Sequence, residues 1–476
     1  MNTHKTKNLD MIHGSIWDKI PRFALPVAAT AILGQLFNAT DLAVVGSFTG
    51  SQSTVSVAAV GANSPIVGLI LNLFIGIALG ANVVIANAIG RKDNEMVTKA
   101  VHTSIILSVF GGILVTILGE LFVEDLLGML HVPEDVFPYA LLYLRIYLLG
   151  MPVILLYNFE AAIFRSIGDT KMPLLALTFS GVLNVILNLF FVIVLKMTVD
   201  GVAWATVIAN GVSAVILFWR LRKTDKEIKV QWKKLRVDKI CLKQILRIGL
   251  PAGLQGAIFS FANIIVQSAI NSLGTVVMAA SGAALNLEII AFNVLNSFGQ
   301  ACTTFVGQNH GAGELKRCRR ILYICLGENA IATAVTVLLI LLWGHPLLSL
   351  FNNDPEVIAI GYTRLTIIFA AYTFSVFNEV ICGYLRGFGI SLTPALLTIF
   401  GICVLRILWI HTVFPLYHTF ETIILVYPIS LATTTLLSFL ALWIYTNKVD
   451  TNKVDTNKVD TNKVDTKKEE PTYVNK

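Results

Sequence analysis

The sequence predicts an all-α polytopic membrane protein: twelve transmembrane helices in two six-helix lobes related by a parallel internal repeat. Three observations carry that prediction. Of 476 residues, 55% are hydrophobic and only 14% charged, against about 25% charged in an ordinary soluble domain, and the mean hydropathy is +0.73. Apolar stretches run to twenty residues or more, enough to cross the roughly 30 Å hydrocarbon layer. Separated sequence matches share one offset, which divides the chain into two similar halves.

Taken in order, residues 1–19 form a polar N-terminal segment, and the apolar run after it is too long for a cleavable signal peptide. The spans follow at 20–48, 55–88, 96–119, 136–164, 172–196, 200–221, 246–272, 276–307, 318–343, 356–385, 392–414 and 422–445. The stretch 55–88 holds no charged residue and is long enough for a tilted helix or one with a re-entrant end; we read one span. Charge tests the count, because Lys and Arg should collect in alternate loops on the cytoplasmic side. With the N-terminus inside, 32 of the 36 basic residues fall in inside segments. Lys196 alone sits in an outside loop, and Arg145, Arg364 and Arg406 lie within helices. Both termini are therefore expected in the cytoplasm, with the protein multi-pass in its membrane.

The domains expected are the N-terminal segment 1–19, an N-lobe 20–221, a basic linker 222–245, a C-lobe 246–445 and a tail 446–476. Between Arg220 and Arg247 lie 11 basic and 3 acidic residues, with Trp232 as the one tryptophan. That composition suits a solvated loop beside anionic lipid headgroups and not a nucleic-acid surface. The tail repeats Thr-Asn-Lys-Val-Asp four times to Asp465 and is expected to be disordered. The six cysteines form no Cys-x-x-Cys pair and the eight histidines lack ligand spacing, so neither a structural metal nor a disulfide framework is indicated. No Walker motif is present, which leaves transport driven by an ion gradient as the default and gives no sign of an enzyme.

The repeat has an offset of 221. Ala58-Ala59-x-Gly61-Ala62 recurs as Ala279-Ala280-x-Gly282-Ala283, Gly90 as Gly311, and Arg165-x2-Gly168-x4-Pro173 as Arg386-x2-Gly389-x4-Pro394, while Leu25-Pro26 recurs at Leu250-Pro251 with an offset of 225. Six spans per half is an even number, so both halves enter from the same side and enclose a central cavity that rocking exposes to alternate sides.

In these stretches the sequence resembles the multidrug and toxic compound extrusion (MATE) family, over nearly all of residues 15–445. The carrying motifs are Ala-Leu-Pro-Val-Ala-Ala at 24–29, Ala-Val-Gly-Ala-Asn-Ser-Pro at 59–65, Phe-Arg-Ser-Ile-Gly-Asp-Thr-Lys-Met-Pro at 164–173, Phe-Val-Gly-Gln-Asn-His-Gly-Ala-Gly at 305–313 and Gly-Tyr-Leu-Arg-Gly-Phe-Gly at 383–389. The resemblance implies an exporter of amphipathic organic cations coupled to inward flow of protons or sodium. It implies no cofactor beyond the ion and no nucleic-acid partner; a monomer in contact with membrane lipid is our expectation.

An acid at a membrane helix centre costs roughly 2.5 to 3.5 kcal/mol on insertion scales, so each one asks for a reason. Asp41 follows Gln35, Asn38 and Thr40 in the first span. The resemblance implies that an acid here belongs to a cation-coupling cluster whose other positions are Tyr139, Asn184, Asn188 and Thr206, which could take a proton or coordinate sodium. One branch of the family has an aspartate at the position of Asn188, so a single carboxylate remains. Pro26 and, in the second half, Pro251 are candidate kinks. Substrate or gating candidates are Gln35, Asn38, Gln255, Asn263, Glu288, Asn378 and Glu379, with Glu288 matching a glutamate common in prokaryotic members. Glu160 and Glu328 read as structural, and Arg145, Arg364 and Arg406 as paired with acids or carbonyls. Asn72, Asn82, Asn87, Asn296 and Gln300 read as interhelical glue, and Gly76-x3-Gly80 as close packing. A related class, the lipid-linked oligosaccharide flippases, is the rival reading, because those three arginines could hold a pyrophosphate.

Overall fold

The computed structural model describes residues 9–130 and 132–465. Among them every regular element is helical. The helices that cross are α1 (Lys19–Phe48), α2 (Ser53–Gly90), α3 (Asn94–Met129), α4 (Phe137–Leu149 with Met151–Ser166), α5 (Lys171–Leu189), α6 (Val199–Lys223), α7 (Lys239–Asn271), α8 (Thr275–Gly311), α9 (Leu315–Leu342), α10 (Pro355–Gly387), α11 (Leu392–Thr398 continuing through Leu405–Thr412) and α12 (Phe420–Asp465). Eleven are long and apolar enough alone, and α4 makes the twelfth as a bent pair. Lipid-facing surfaces are apolar, as along α3, where Phe110, Leu114, Ile117, Leu121 and Phe122 are exposed.

Four helices differ from their sequence expectation. The span read as 136–164 breaks at Gly150, with a 51° bend. Pro152 has no N–H to offer the carbonyl of Leu148, and Thr116 Oγ1 donates to that carbonyl instead, at 2.5 Å. The eleventh span passes through a π-helical stretch, Ile399–Val404. So does the end of the fifth, at Phe190–Val194, and each inserts one residue that shifts the facing side chains. The backbone of α12 continues as helix to Asp465, through repeats expected to be without structure; extending an existing helix avoids the cost of nucleation. Residues 466–476 lie outside the described residues.

The stretch at 55–88 is a single helix, Ser53–Gly90. α1 carries on through Pro26 and α7 through Pro251 as unbroken helix. The linker is shorter than its charge run, since α6 reaches Lys223 and α7 starts at Lys239. It is also pinned: the N–H of Gln231 donates to His102 Nε2 (3.0 Å) and that of Asp238 to Thr103 Oγ1 (3.0 Å). Asp238 caps α7 by accepting from the N–H groups of Cys241 and Ile240, and these bonds hold its carboxyl below the ordinary aspartate range.

The two halves meet along α2, α7 and α8. Gly76 and Gly80 of α2 lie against Gly249 and Gly253 of α7, so close that a methyl group on Gly80 would run into the backbone of Ile245 and Gly249. At the end of the seam each contact occurs twice, once in each direction. Asn87 Nδ2 donates to the carbonyl of Gly387 (3.2 Å), and Gln308 Nε2 donates to the carbonyl of Ser166 (2.7 Å). These pairs are 221 residues apart on both sides, as are Gly90 and Gly311, each of which has backbone of the opposite lobe where a Cβ would be. Gly168 and Gly389, another such pair, both end their helix in the left-handed region, at φ 81° and 82°. The contacts lie at the C-terminal ends of α2, α4, α8 and α10, on the face that carries the basic loops.

An N-terminal strap crosses the same face. Leu9 and Met11 pack on Gly168 of the N-lobe. The carbonyl of Met11 accepts from Asn309 Nδ2 (3.0 Å), and that of Gly14 from Arg317 Nη1 (2.9 Å), both in the C-lobe.

Candidate functional site: a cavity between the lobes

A cavity of about 730 Å³ lies between the lobes, within the range of drug-sized binding sites. α1, α2, α4, α5 and α6 line it from one side, and α7, α8, α10, α11 and α12 from the other. The seam described above forms its floor.

Asp41 stands on the N-lobe wall, only 5% exposed. Asn188 Nδ2 donates to its Oδ1 (2.5 Å) and Thr206 Oγ1 to its Oδ2 (2.9 Å). Asn188 also donates to Asn184 Oδ1 (3.2 Å), and Asn184 Nδ2 to Thr206 Oγ1 (3.4 Å). A π-turn begins two residues after Asn188, and the bend of α4 lies between Tyr147 and Ile154, both on the cavity wall. Every hydrogen-bond partner of the carboxylate is neutral, and Asn188 Oδ1 is buried with no partner of its own. A small cation among Asp41, Thr206, Asn184 and Asn188 would find oxygen ligands there, and a proton on Asp41 would make the carboxyl a donor.

Tyr139 is the sequence-predicted member that the structure leaves out. It packs in an apolar cluster with Val136, Ala140 and Tyr143, while the tyrosine on the cavity wall is Tyr147, two turns further along α4. Tyr143 stacks on Tyr147 at 6.0 Å between ring centroids. Gln35 and Asn38 do line the cavity beside Asp41.

On the C-lobe wall, Gln255, Asn263, Asn378 and Glu379 all face the cavity. Gln255 Oε1 accepts from Arg386 Nη2 (2.7 Å), Asn263 Oδ1 from Arg406 Nη1 (3.1 Å) and Asn378 Oδ1 from Ser438 Oγ (2.8 Å). Glu288 does not line it. Its two oxygens accept from Arg364 Nε (2.6 Å) and Nη2 (3.0 Å), and Arg364 also donates to Ser281 Oγ (2.5 Å). This bidentate pair is buried behind the wall, with Arg364 only 1% exposed, so the expectation of a substrate or gating contact at Glu288 is corrected to a structural ion pair. Pro251 sits in the seam between Gly249 and Gly253 rather than in a free hinge.

The other charges sort as follows. Arg145 pairs with Glu124 (3.0 Å) and Glu120 (3.6 Å) at the surface. Arg406, 2% exposed, bonds Ser430 and Asn263 and lies 4.2 Å from the Tyr427 ring centroid, with no carboxylate among its partners. Glu160 and Glu328 are buried, and among the described residues their oxygens have no hydrogen-bond partner. Sequence reasoning passed over Arg165 and Arg386 as cavity residues, although both line it. The signal was available in their recurrence at the offset of 221, each at the end of a helix running to the floor.

Two six-helix halves around a central polar cavity are the architecture of a two-lobed membrane transporter. The MatE family model matches residues 26–190 and 251–410, together more than half of the chain, and the protein belongs to that family, whose members are transporters. Relatives include the Bacillus subtilis (strain 168) protein named "Probable multidrug resistance protein YoeA", 28% identical over 82% of this chain and 85% of its own. The "Probable multidrug resistance protein NorM" of Thermotoga maritima is 26% identical over 81% and 83%, and the "FAD transporter" of Shewanella oneidensis 24% over 73% and 77%. Among solved structures, one described as the outward-facing conformation of a multidrug resistance MATE family transporter superposes with a TM-score of 0.86, at 22% identity, over 94% of this chain and 100% of that one.

Proposed function

We propose that the protein is a secondary active exporter in a bacterial inner membrane, with both termini cytoplasmic, which releases amphipathic organic cations outward in exchange for a proton or a sodium ion taken up at Asp41. The observation that carries this reading is Asp41 itself: a carboxylate buried in the membrane, hydrogen-bonded only by neutral groups, beside an unpartnered amide oxygen and on the wall of a ligand-sized cavity. Intramembrane acids without a fixed counter-ion mark ion pathways. The closed seam lies on the face of the basic loops, the cytoplasmic face by the charge rule, so the cavity described here belongs to an outward-facing state. Uptake of the ion at Asp41 from that side would favour closing the cavity outward, and the inward-facing state would release it and load substrate. Aromatic walls, Tyr147, Tyr157, Phe259 and Phe292 among them, suit flat cations through their ring faces.

Of the arginines a flippase reading named, Arg145, Arg364 and Arg406 are all outside the cavity lining, and the cationic groups on its wall are instead Arg165 and Arg386, each held by a glutamine. The test is ethidium efflux from energised cells of a pump-deficient bacterial strain carrying wild type or Asp41→Asn at matched expression, with and without sodium. Export by wild type alone is expected, and its sodium dependence identifies the ion. Equal export by the variant would remove Asp41 from the coupling role.

A further inference from the structure

A hydrogen-bonded chain runs across the floor of the cavity from one lobe to the other. Arg165 Nη1, in the N-lobe, donates to Gln300 Oε1 of α8 at 2.9 Å. Gln300 Nε2 donates to Asn296 Oδ1 at 2.8 Å, and Asn296 Nδ2 donates to Glu379 Oε2 on α10 at 3.3 Å. All four side chains line the cavity. The direction is the same throughout: a guanidinium begins the chain, two amides point their N–H groups the same way, and a carboxylate ends it. Each link therefore polarises the next, and the negative charge on Glu379 strengthens the bond that Arg165 makes across the lobe boundary.

From this geometry we infer that Glu379 is a second ion-coupling carboxylate, and that Asn296 and Gln300 are positioning residues which carry its charge state to the Arg165 clamp between the lobes. With Glu379 charged, the clamp is charge-assisted at both ends and the floor stays shut. Neutralising Glu379, by a proton or a bound sodium ion arriving through the outward-open cavity, removes the acceptor charge, weakens the clamp and frees the floor to open inward. The charged group facing Glu379 is Arg386, two turns along the same helix and held by Gln255. α8 presents Asn296, and the titratable neighbour Cys382 bonds Asn378 Oδ1 (3.7 Å); α12 presents Ser438 to that same amide. No carboxylate on these elements competes for the chain among the described residues.

This inference rests on the exporter reading for its ion but has its own readout. Lys171 and Lys316 are exposed at the starts of α5 and α9, one on each lobe at the basic face, and the native cysteines are buried. Spin labels on Lys171→Cys and Lys316→Cys would report the distance across the floor in liposomes. Glu379→Gln is expected to raise the open-floor population about fivefold to tenfold, the scale of exchanging a charge-assisted hydrogen bond for a neutral one. Asn296→Ala should do the same with Glu379 intact. In the Asp41→Asn background, the remaining response of the distance to acid or sodium should vanish when Asn296→Ala is added. Distance distributions for Glu379→Gln and Asn296→Ala that superimpose on wild type would overturn the chain, as would the lack of any ion response in Asp41→Asn. If Glu379→Gln fails to fold, Asn296→Ala and Gln300→Ala carry the test, with melting in detergent as the control. Should the distances shift while ethidium is not exported, the chain stands and the substrate reading falls.

Discussion

The floor and the interior of this transporter treat the internal repeat in opposite ways. At the floor, the two halves keep matched residues, Asn87 with Gln308, Ser166 with Gly387 and Gly90 with Gly311, while Arg165 and Arg386 recur but bond different partners, Gln300 across the boundary and Gln255 within the C-lobe. In the interior they diverge. Asp41 corresponds, at the offset of the first helices, to the buried Val266, and Glu288 corresponds to Val67. Both acids are 5% exposed, yet one is held by neutral amides and a hydroxyl and the other is consumed by Arg364. A gate that must close has reason to keep its repeat, whereas an acid that exchanges an ion must be left without a fixed counter-ion, as Asp41 is and Glu288 is not. The difference separates the two jobs a buried acid can do in a membrane: carry an exchangeable ion, or fix the packing of a lobe.

The sharpest way to break that comparison is to exchange the roles of the two acids. Asp41→Asn should keep the fold, because its neighbours can still bond an amide, and should reduce ion-driven efflux to the level of cells lacking the transporter. Glu288→Gln should do the reverse. It strands Arg364, and breaking a buried pair costs about 3 to 5 kcal/mol, so the detergent melting midpoint should fall steeply while any protein that folds still couples. Replacing both partners, Glu288→Leu with Arg364→Met, should recover most of that loss, since a well-packed apolar pair can substitute for a buried ion pair. Failure to recover would mean that Glu288 does more than pair.

A middle-sized effect is expected at the seam. Gly80→Leu places a side chain where the backbone of Ile245 and Gly249 now sits, so the floor cannot close and the basic-face distance should lengthen throughout the population. Gly34→Leu, where a Cβ meets nothing within 4 Å, is the control and should leave that distance unchanged.

The chain's own pattern made the spans readable, because twenty apolar residues between charge clusters have few alternatives in a bilayer. The cluster around Asp41 was legible through Asn184, Asn188 and Thr206, whose residue types are costly in lipid and so announce themselves. Tyr139 came from the resemblance and not from the chain's own pattern; it lies two turns from Tyr147, the tyrosine on the cavity wall, within the same straight segment Phe137–Leu149. Glu288 looked like a free acid because its partner lies 76 residues further along the chain, and an ion pair between separate helices leaves no local signature. Arg165 and Gln300 were visible only as a motif and as glue, since their meaning arises where two lobes touch.

The smallest effect tests the symmetry of the floor directly. Asn87→Ala removes one donor to Gly387, and Gln308→Ala removes the matching donor to Ser166. A single neutral hydrogen bond contributes about 1 kcal/mol, so each variant should shift the closed-to-open ratio at the floor by about fivefold. The two need not be identical, because Asn87 Oδ1 also bonds His310 Nδ1 at 2.9 Å. That bond is one further contact of the same side chain, which makes the expected excess for Asn87→Ala modest. Equal shifts from both variants would mean that the gate works as two equivalent halves. A large excess for Asn87→Ala would locate most of the closure on the His310 side and break the symmetry that the repeat suggests.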